Sequence, residues 1–340
     1  MGLFLGFLSH DLAIDLGSAN TVVAIPGRGV VLDEPSVVAV RQRGTHREVV
    51  AVGATAKEML GRTPESITAV RPVRGGVIVD YEVAEAMLRF FIARVAGRRS
   101  LVRPRILVCV PFGVTEEQQR AARECARAAG GREVRLVYGP VAAALGAALP
   151  VEDPSGTFLC VVGAGTTEAA VLSMGAVVAS RTTGAAGDAM DQALVAWLQR
   201  THNVLVGDLS AEAIKLEVGC ALEPDSPRAF VVRGRDLAAG IPRQITVTSD
   251  DARDALGPVL GQLAEAVRQT LAETPPELAA DIVDAGLVVA GGGSLLWGLD
   301  AWLRQTTGLA VVRAPEPLHA VALGAASAIE EPSVLGRVAF

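Results

Sequence analysis

The sequence predicts an α/β protein made of two related halves, and three glycine turns carry that prediction. The first follows the alternating apolar run Leu12, Ile14, Leu16, which has the period of a strand with one buried face. It breaks at Gly17-Ser18-Ala19-Asn20 and resumes as a strand over Thr21–Ile25. The second repeats the idea: the apolar strand Thr157–Gly163 runs into Gly163-Ala164-Gly165-Thr166-Thr167 before a new strand, Ala169–Met174. The third follows Leu287–Ala290, where Gly291-Gly292-Gly293-Ser294 opens a predicted helix. Small residues let several backbone N–H groups point at one anion or approach a ligand closely. The Ser18 and Asn20 side chains add donors, and Asp15 could hold a cation or water against that anion. Taken alone, the first turn's D-x-G-x-x-x-T pattern is better explained by an ordinary hairpin. Two strand–turn–strand devices about half a chain apart imply a duplicated fold with a phosphate clasped between the halves.

Composition sets the bounds. At 340 residues the chain can bury a large core and should form two domains. Half its residues are apolar and a fifth are charged, which is globular rather than disordered. A net charge of −6 leaves no basic footprint for nucleic acid as a principal partner. Cys109, Cys125, Cys160 and Cys220 lie far apart without C-x-x-C, and Cys109 and Cys160 sit in apolar strand patterns, so buried thiols in a reducing cytoplasm are expected. The scattered His10, His46, His202 and His319 read as surface positions. No apolar run reaches the roughly 18 residues of a membrane span. Met1–Ser9 lacks the basic region and cleavage site of a secretory signal, and Gly6 breaks the myristoylation pattern.

In order along the chain, residues 1–10 place Leu3, Phe4, Phe7 and Leu8 on one helical face. They fit either a frayed or tucked terminus or a short membrane-surface anchor. Pro26–Gly29 turns the chain into strands at Val30–Leu32 and Ser36–Val40; Thr45–Arg47 reads as a polar loop and Ala54–Leu60 as a short helix. Val83, Met87, Phe91 and Val95 form the apolar stripe of a helix, more simply core than cofactor box. Leu101 and Val102, flanked by Arg98, Arg99 and Arg103, make either a solvated turn or a patch suited to an anionic membrane surface. After the strand Ile106–Val110, Thr115-Glu-Glu-Gln118 is a capping box for a helix ending at Gly130. Pro140 opens an alanine-rich helix. Strands follow at 157–163, 169–174 and 177–182, then a long helix from Gly187-Asp188 to about Arg200. Ser210 is expected to cap a helix over 211–222, and Arg228–Thr248 reads as strand, loop and strand. A helix over 250–273 ends at the breaker Pro275-Pro276, and Ser294–Thr306 and Pro317–Ile329 read as helices.

Several stretches together resemble the MreB/Mbl family of bacterial actin-like cell-shape proteins, within the actin, sugar kinase and heat-shock chaperone superfamily. They are Asp11–Thr21, Val30–Ala39, Lys57–Pro64, Arg105–Pro111, Gly187-Asp188 with Asp191, Ile214-Lys215 with Glu217, and Gly291–Asp300. The resemblance implies an actin-like fold, two related domains around a nucleotide cleft, each with a smaller subdomain. It places domain I at 1–147 with an insertion at 33–78, domain II at 148–316 with a subdomain at about 185–250, and 317–340 returning to domain I. It implies ATP and Mg²⁺ as cofactors. Gly17, Ser18, Ala19 and Asn20 would be one phosphate loop, and Gly163, Ala164, Gly165, Thr166 and Thr167 the other. Gly187 and Asp188 would lie near the ribose and phosphates. Glu212 and Lys215 would frame the adenosine, with Gly291, Gly292, Gly293, Ser294 and Leu295 on its other side; Lys215 taken alone is a solvated neighbour of Glu217.

The same comparison marks losses. The family's aspartate at the second phosphate loop is Val161 here, the glutamate that orients the attacking water is Gly139, and a further aspartate beside the phosphates is Gly75, whereas Asp15 is retained. The expectation is therefore a filament-forming, actin-like element with at most weak ATPase activity. It would be cytoplasmic and peripheral at the inner face of the cytoplasmic membrane, partnering itself head to tail, an MreB paralogue, and cell-wall elongation proteins. Membrane contact would run through Leu3, Phe4, Phe7, Leu8, Leu101 and Val102. The rivals are a degenerate capping or regulatory partner of an intact paralogue, and a superfamily kinase, which lacks an aspartate placed to activate a hydroxyl.

Overall fold

The computed structural model describes residues 11–44, 46–96 and 103–340, which divide into two compact units. The first comprises Met1–Thr157, Leu172–Val178 and Leu318–Phe340; the second comprises Phe158–Val171 and Ala179–Pro317. Leu3, Phe4, Phe7, Leu8, Leu101 and Val102 lie outside the described residues.

The first unit opens with β1 (Leu12–Leu16), β2 (Asn20–Ile25) and β3 (Gly29–Pro35), an antiparallel meander whose short turns fix the register. A second sheet follows: β4 (Val38–Arg43), β5 (His46–Val52), the helix α1 (Ala54–Glu58) and β6 (Ile67–Val70), with strand order β5-β4-β6. Of the polar loop expected at Thr45–Arg47, His46 and Arg47 instead start β5, and Thr45 lies outside the described residues. Cross-strand pairing to β4, with Arg41 and Arg43 beside Glu48, carries a segment whose own residues read as a turn. The two-residue hairpin β7 (Val73–Arg74) to β8 (Val77–Ile78) turns through Gly75 and Gly76, both at positive φ. Then come α2 (Tyr81–Ala96), β9 (Arg105–Val110), α3 (Glu116–Ala128), β10 (Glu133–Tyr138) and α4 (Gly139–Gly146). Val83, Met87 and Phe91 are buried on α2, as the stripe predicts, and Thr115 and Gln118 close the capping box of α3.

In the second unit the same logic recurs. β11 (Thr157–Val162), β12 (Thr167–Ser173) and β13 (Ala176–Thr183) precede α5 (Gly187–His202), β14 (Val204–Leu205) and α6 (Asp208–Val218). α6 starts at the N-cap Gly207, a turn earlier than the Ser210 cap expected, because Asp208 supplies the acidic first turn and Ser210 lies inside the helix. β15 (Ala229–Asp236) and β16 (Pro242–Thr248) pair as a hairpin and lead into α7 (Ser249–Ala272), capped by Thr248 and Asp251. Pro275-Pro276 does end α7, but Pro276 also starts α8 (Pro276–Ala285), since proline is accepted in a first helical turn. β17 (Leu287–Ala290) runs into a 3-10 turn, Gly292–Leu295, rather than directly into a long helix. Positive φ at Gly291 marks the exit from β17 into that turn, and positive φ at Gly298 separates the turn from α9 (Leu299–Thr307). After β18 (Val311–Arg313) the chain ends with α10 (Ala320–Glu330) and α11 (Pro332–Val338), both in the first unit.

The duplication is visible in the sheets. The first unit carries the order β10-β9-β1-β2-β3 and the second β13-β12-β11-β17-β18: in each, a meander of three strands continues into two further strands beside its first. β1, β9 and β10 run parallel, as do β11, β17 and β18. Each sheet lies in its own buried cluster, with Ile14, Phe91 and Leu136 in one and Phe158, Leu194 and Leu263 in the other. Open sheets of this kind offer ligands the crevice beyond the carboxyl ends of their parallel strands. In the first unit that end carries Gly17 and Gly139; in the second, Gly163 and Gly291.

Candidate functional site

In the first unit, Gly17 makes a turn too tight for a side chain: a Cβ there would lie 2.6 Å from the Asn20 carbonyl oxygen. Ser36 buttresses the turn from within. Its hydroxyl donates to Gly17 O at 2.7 Å, its N–H donates to Ala19 O at 2.8 Å, and it exchanges a 2.9 Å hydrogen bond with the buried Thr21 hydroxyl. The Gly76 N–H donates to Ser18 Oγ at 3.1 Å, so the Ser18 hydroxyl proton remains available to an anion. On the outer side, Asn20 Nδ2 donates to Asp33 Oδ1 at 2.6 Å, and His319 Nε2 lies 3.1 Å from Asp33 Oδ2. One of the two amide hydrogens expected to serve an anion is therefore already engaged.

Asp15, Val22 and Asp33 stand in one cross-strand row over β1, β2 and β3. Burial, and after it the Asp33 carboxylate, pushes Asp15 up to about 6. The neighbouring Cys109 thiol, opposite Asp15 in register on β9, is pushed well up by burial and then by Asp15 itself, which makes it an inert core group. All four cysteines are buried.

In the second unit, the turn after β11 is held by backbone. Gly163 N–H donates to Thr166 O at 2.8 Å; Gly163 O accepts from Gly187 N–H at 3.1 Å and Ala164 O from Asp188 N–H at 2.7 Å. The start of α5 is thereby fastened to the turn. Thr167 is fully buried and its hydroxyl donates to Ala185 O at 2.7 Å, a structural role. Lys215 is not the solvated neighbour of Glu217 that its helix position alone suggests. Its Nζ donates to Gly187 O at 3.0 Å and to Asp191 Oδ2 at 2.9 Å. Burial pushes Asp191 up to about 6 against the pull of Lys215, with Glu212 and Asp188 adding to the rise. Nζ also lies 2.9 Å from Asp191 Oδ1, yet the bond is aimed at Oδ2, and the buried Oδ1 has no hydrogen-bond partner among the described residues. The glycines after β17 serve close packing: a Cβ on Gly291 would lie 2.4 Å from Val162 O, and one on Gly293 2.4 Å from a Val162 methyl. Ser294 is buried with its hydroxyl donating to Gly291 O at 2.7 Å, while Gly292 and Leu295 are exposed.

The unit thus gathers Gly163, Ala164, Gly187, Asp188, Asp191, Glu212 and Lys215 into one cluster, with Gly291–Ser294 packed on the adjoining residue Val162. Val161 is buried on β11 opposite Ala290, and Gly139 is the buried first residue of α4, so both positions lie at a strand's carboxyl end. Sequence reading missed Ser36, Asp33, His319 and the acceptor role of Asp191. Of these, Ser36, Asp33 and Asp191 lie in stretches that resemble the family, and His319 alone lies outside them. Among the described residues there is no group of three or more His, Cys, Asp or Glu side chains that could hold a metal ion, and no helix long and apolar enough to cross a membrane.

Comparisons with known proteins agree with this architecture. The cell shape-determining protein MreB of Escherichia coli K12 is 47% identical over 331 residues, covering 96% of this chain and 95% of that one. The cell shape-determining protein Mbl of Bacillus cereus is 41% identical over 322 residues, covering 95% and 96%. The crystal structure of MreB5 of Spiroplasma citri bound to AMPPNP matches with a TM-score of 0.90 at 30% identity, over 96% of this chain and 97% of that one. The MamK double helical filament, at 21% identity and a TM-score of 0.78, shares the fold. The family model described as MreB/Mbl protein matches residues 9–337, and with two sheets of one topology and glycine turns at their strand ends, this actin-like chain belongs to the MreB/Mbl family.

Proposed function

We propose that the chain is a membrane-associated cytoskeletal element that assembles head to tail and organises cell-wall synthesis, binding ATP and Mg²⁺ but hydrolysing ATP slowly. One contrast carries the reading: the Gly17–Asn20 turn keeps Asp15 and an available Ser18 hydroxyl, whereas Val161, Gly139 and Gly75 occupy places where the family has carboxylates. The residues present fit a nucleotide. Asp191 Oδ1, buried beside Lys215 Nζ and without a hydrogen-bond partner among the described residues, suits a ribose hydroxyl, and the glycine turns suit phosphates. Mg²⁺ would rest on Asp15 through water and on the phosphates themselves, the usual sparse protein set for this ion. The MreB5 of Spiroplasma citri has been solved with AMPPNP and with ADP, which supports the same ligand class here.

In this reading the chain divides into domain I (1–147), domain II (148–316) and a returning segment (317–340), and it attaches to the membrane through Leu3, Phe4, Phe7, Leu8, Leu101 and Val102. Such contacts bind a monomer marginally and a filament strongly, by multivalency. The test is sedimentation and electron microscopy of the full chain with ATP and Mg²⁺ on anionic vesicles, beside calorimetry with ATP. Filaments are expected, and non-closing head-to-tail contacts require them. Monomers alone would hand the role to the second reading, a degenerate partner that caps filaments of an intact paralogue, which the same carboxylate losses favour.

A further inference from the structure

The turn Gly17–Asn20 is held on two sides by unlike means. Ser36 and Thr21 fasten its inner side through fully buried hydroxyls. Its outer side is met by a chain of side chains, Asn20 to Asp33 to His319, at the surface. His319 is the N-cap residue of α10, yet its side chain makes no capping bond; it reaches Asp33 on β3 instead. Asp33 would otherwise be a half-exposed carboxylate with free rotamers, and Asn20 would move with it.

We propose that His319 is a positioning residue for this turn: by donating from Nε2 to Asp33 Oδ2 it fixes the carboxylate that holds the Asn20 amide, and so presets the turn for nucleotide phosphate. The inference rests on the reading of Gly17–Asn20 as a phosphate loop. At metal sites, a residue that orients a ligating group by a hydrogen bond changes affinity about tenfold or more when removed, and His319 stands in a similar relation to Asn20 through Asp33. The donor matters rather than the ring, so an amide at the same place should suffice.

The experiment uses the full chain and the variants His319→Ala, His319→Gln, Asn20→Ala and Asn20→Ala/His319→Ala. ATP and ADP affinities are measured with a fluorescent analogue, and hydrogen exchange over residues 15–25 is measured without nucleotide. His319→Ala should weaken both nucleotides about tenfold and speed exchange, and His319→Gln should restore most of each. The double variant should be no weaker than Asn20→Ala, because both act through one path. Wild-type affinity in His319→Ala, full additivity in the double variant, or failure of the Gln variant to rescue would overturn the assignment. If the wild type binds no nucleotide, the functional reading falls. Exchange then decides on its own: faster in the Ala variant and restored in the Gln variant sustains positioning, while unchanged exchange removes it.

Discussion

In the first unit the turn after β1 is held by side chains. Ser36, Thr21, Asp33 and the Gly76 N–H on Ser18 surround a backbone that only Gly17 allows. In the second unit the turn after β11 is held by main chain: Gly163 and Ala164 carbonyls accept the first N–H groups of α5, and Gly291 and Gly293 press on Val162. The first turn keeps a carboxylate in its strand, Asp15; the second has Val161 at the equivalent level. Backbone-held turns tolerate the loss of a neighbouring charge, because nothing that shapes them depended on it. The second turn can therefore keep its backbone geometry with an apolar side chain, Val161, at the level where the first turn has Asp15.

The sharpest way to break this comparison is to return the missing groups. Gly139→Glu/Val161→Asp should raise phosphate release by about 10²–10⁴, the usual contribution of a positioned acid or base. Wild-type turnover as fast as the double variant would remove the claim that the losses matter. Val161 is 8% exposed, so the new aspartate should also lower thermal stability unless Mg²⁺ and nucleotide are present.

A smaller effect separates the two turns directly. A methyl on Gly17 meets the Asn20 carbonyl at 2.6 Å, and one on Gly163 meets the Thr166 carbonyl at 3.1 Å. Gly17→Ala should cost about 1–3 kcal/mol in stability, the range of overpacking against fixed backbone. Gly163→Ala should cost clearly less, since a few tenths of an ångström of adjustment relieves it. Equal losses in chemical denaturation would show that the two turns are equally rigid.

Much of this was legible in the residues themselves. Alternation over Leu12–Leu16, the stripe Val83–Phe91 and the capping box at Thr115 give elements because each is a local pattern read by one partner surface. The duplication was legible because both copies keep strand, glycine and strand. What was not legible depends on partners distant in sequence. β5 forms because β4 pairs with it, and Lys215 leaves solvent because Asp191 lies 24 residues away on another helix. His319 looked like any surface histidine, since its partner Asp33 is 286 residues away. The glycines after β17 look from sequence like room for a ligand; in the structure Gly291 and Gly293 make room for Val162, a demand no local pattern reveals.

The finest test of the contrast concerns the one retained carboxylate. Asp15 is raised to about 6 in the folded protein, by burial first and Asp33 second, from the ordinary 3.8 that it regains on unfolding. A raised folded pKa means the native state binds the proton more tightly than the unfolded chain does. The stabilising contribution is then complete below about pH 4, is lost as pH rises through about 6, and is absent at pH 7–8. Asp15→Asn removes the titration while keeping the shape. In nucleotide-free protein the variant should match the wild type near pH 4 and exceed it at pH 8 by about 1–2 kcal/mol, since Asp15 keeps some contact with solvent. Val161→Asn in the second unit should show no such pH dependence relative to the wild type, because neither residue ionises. The check is a series of denaturant melts from pH 4 to 8. A constant difference between Asp15→Asn and wild type across that range would mean that Asp15 is well solvated. The first unit would then hold no buried charge for a cation to offset.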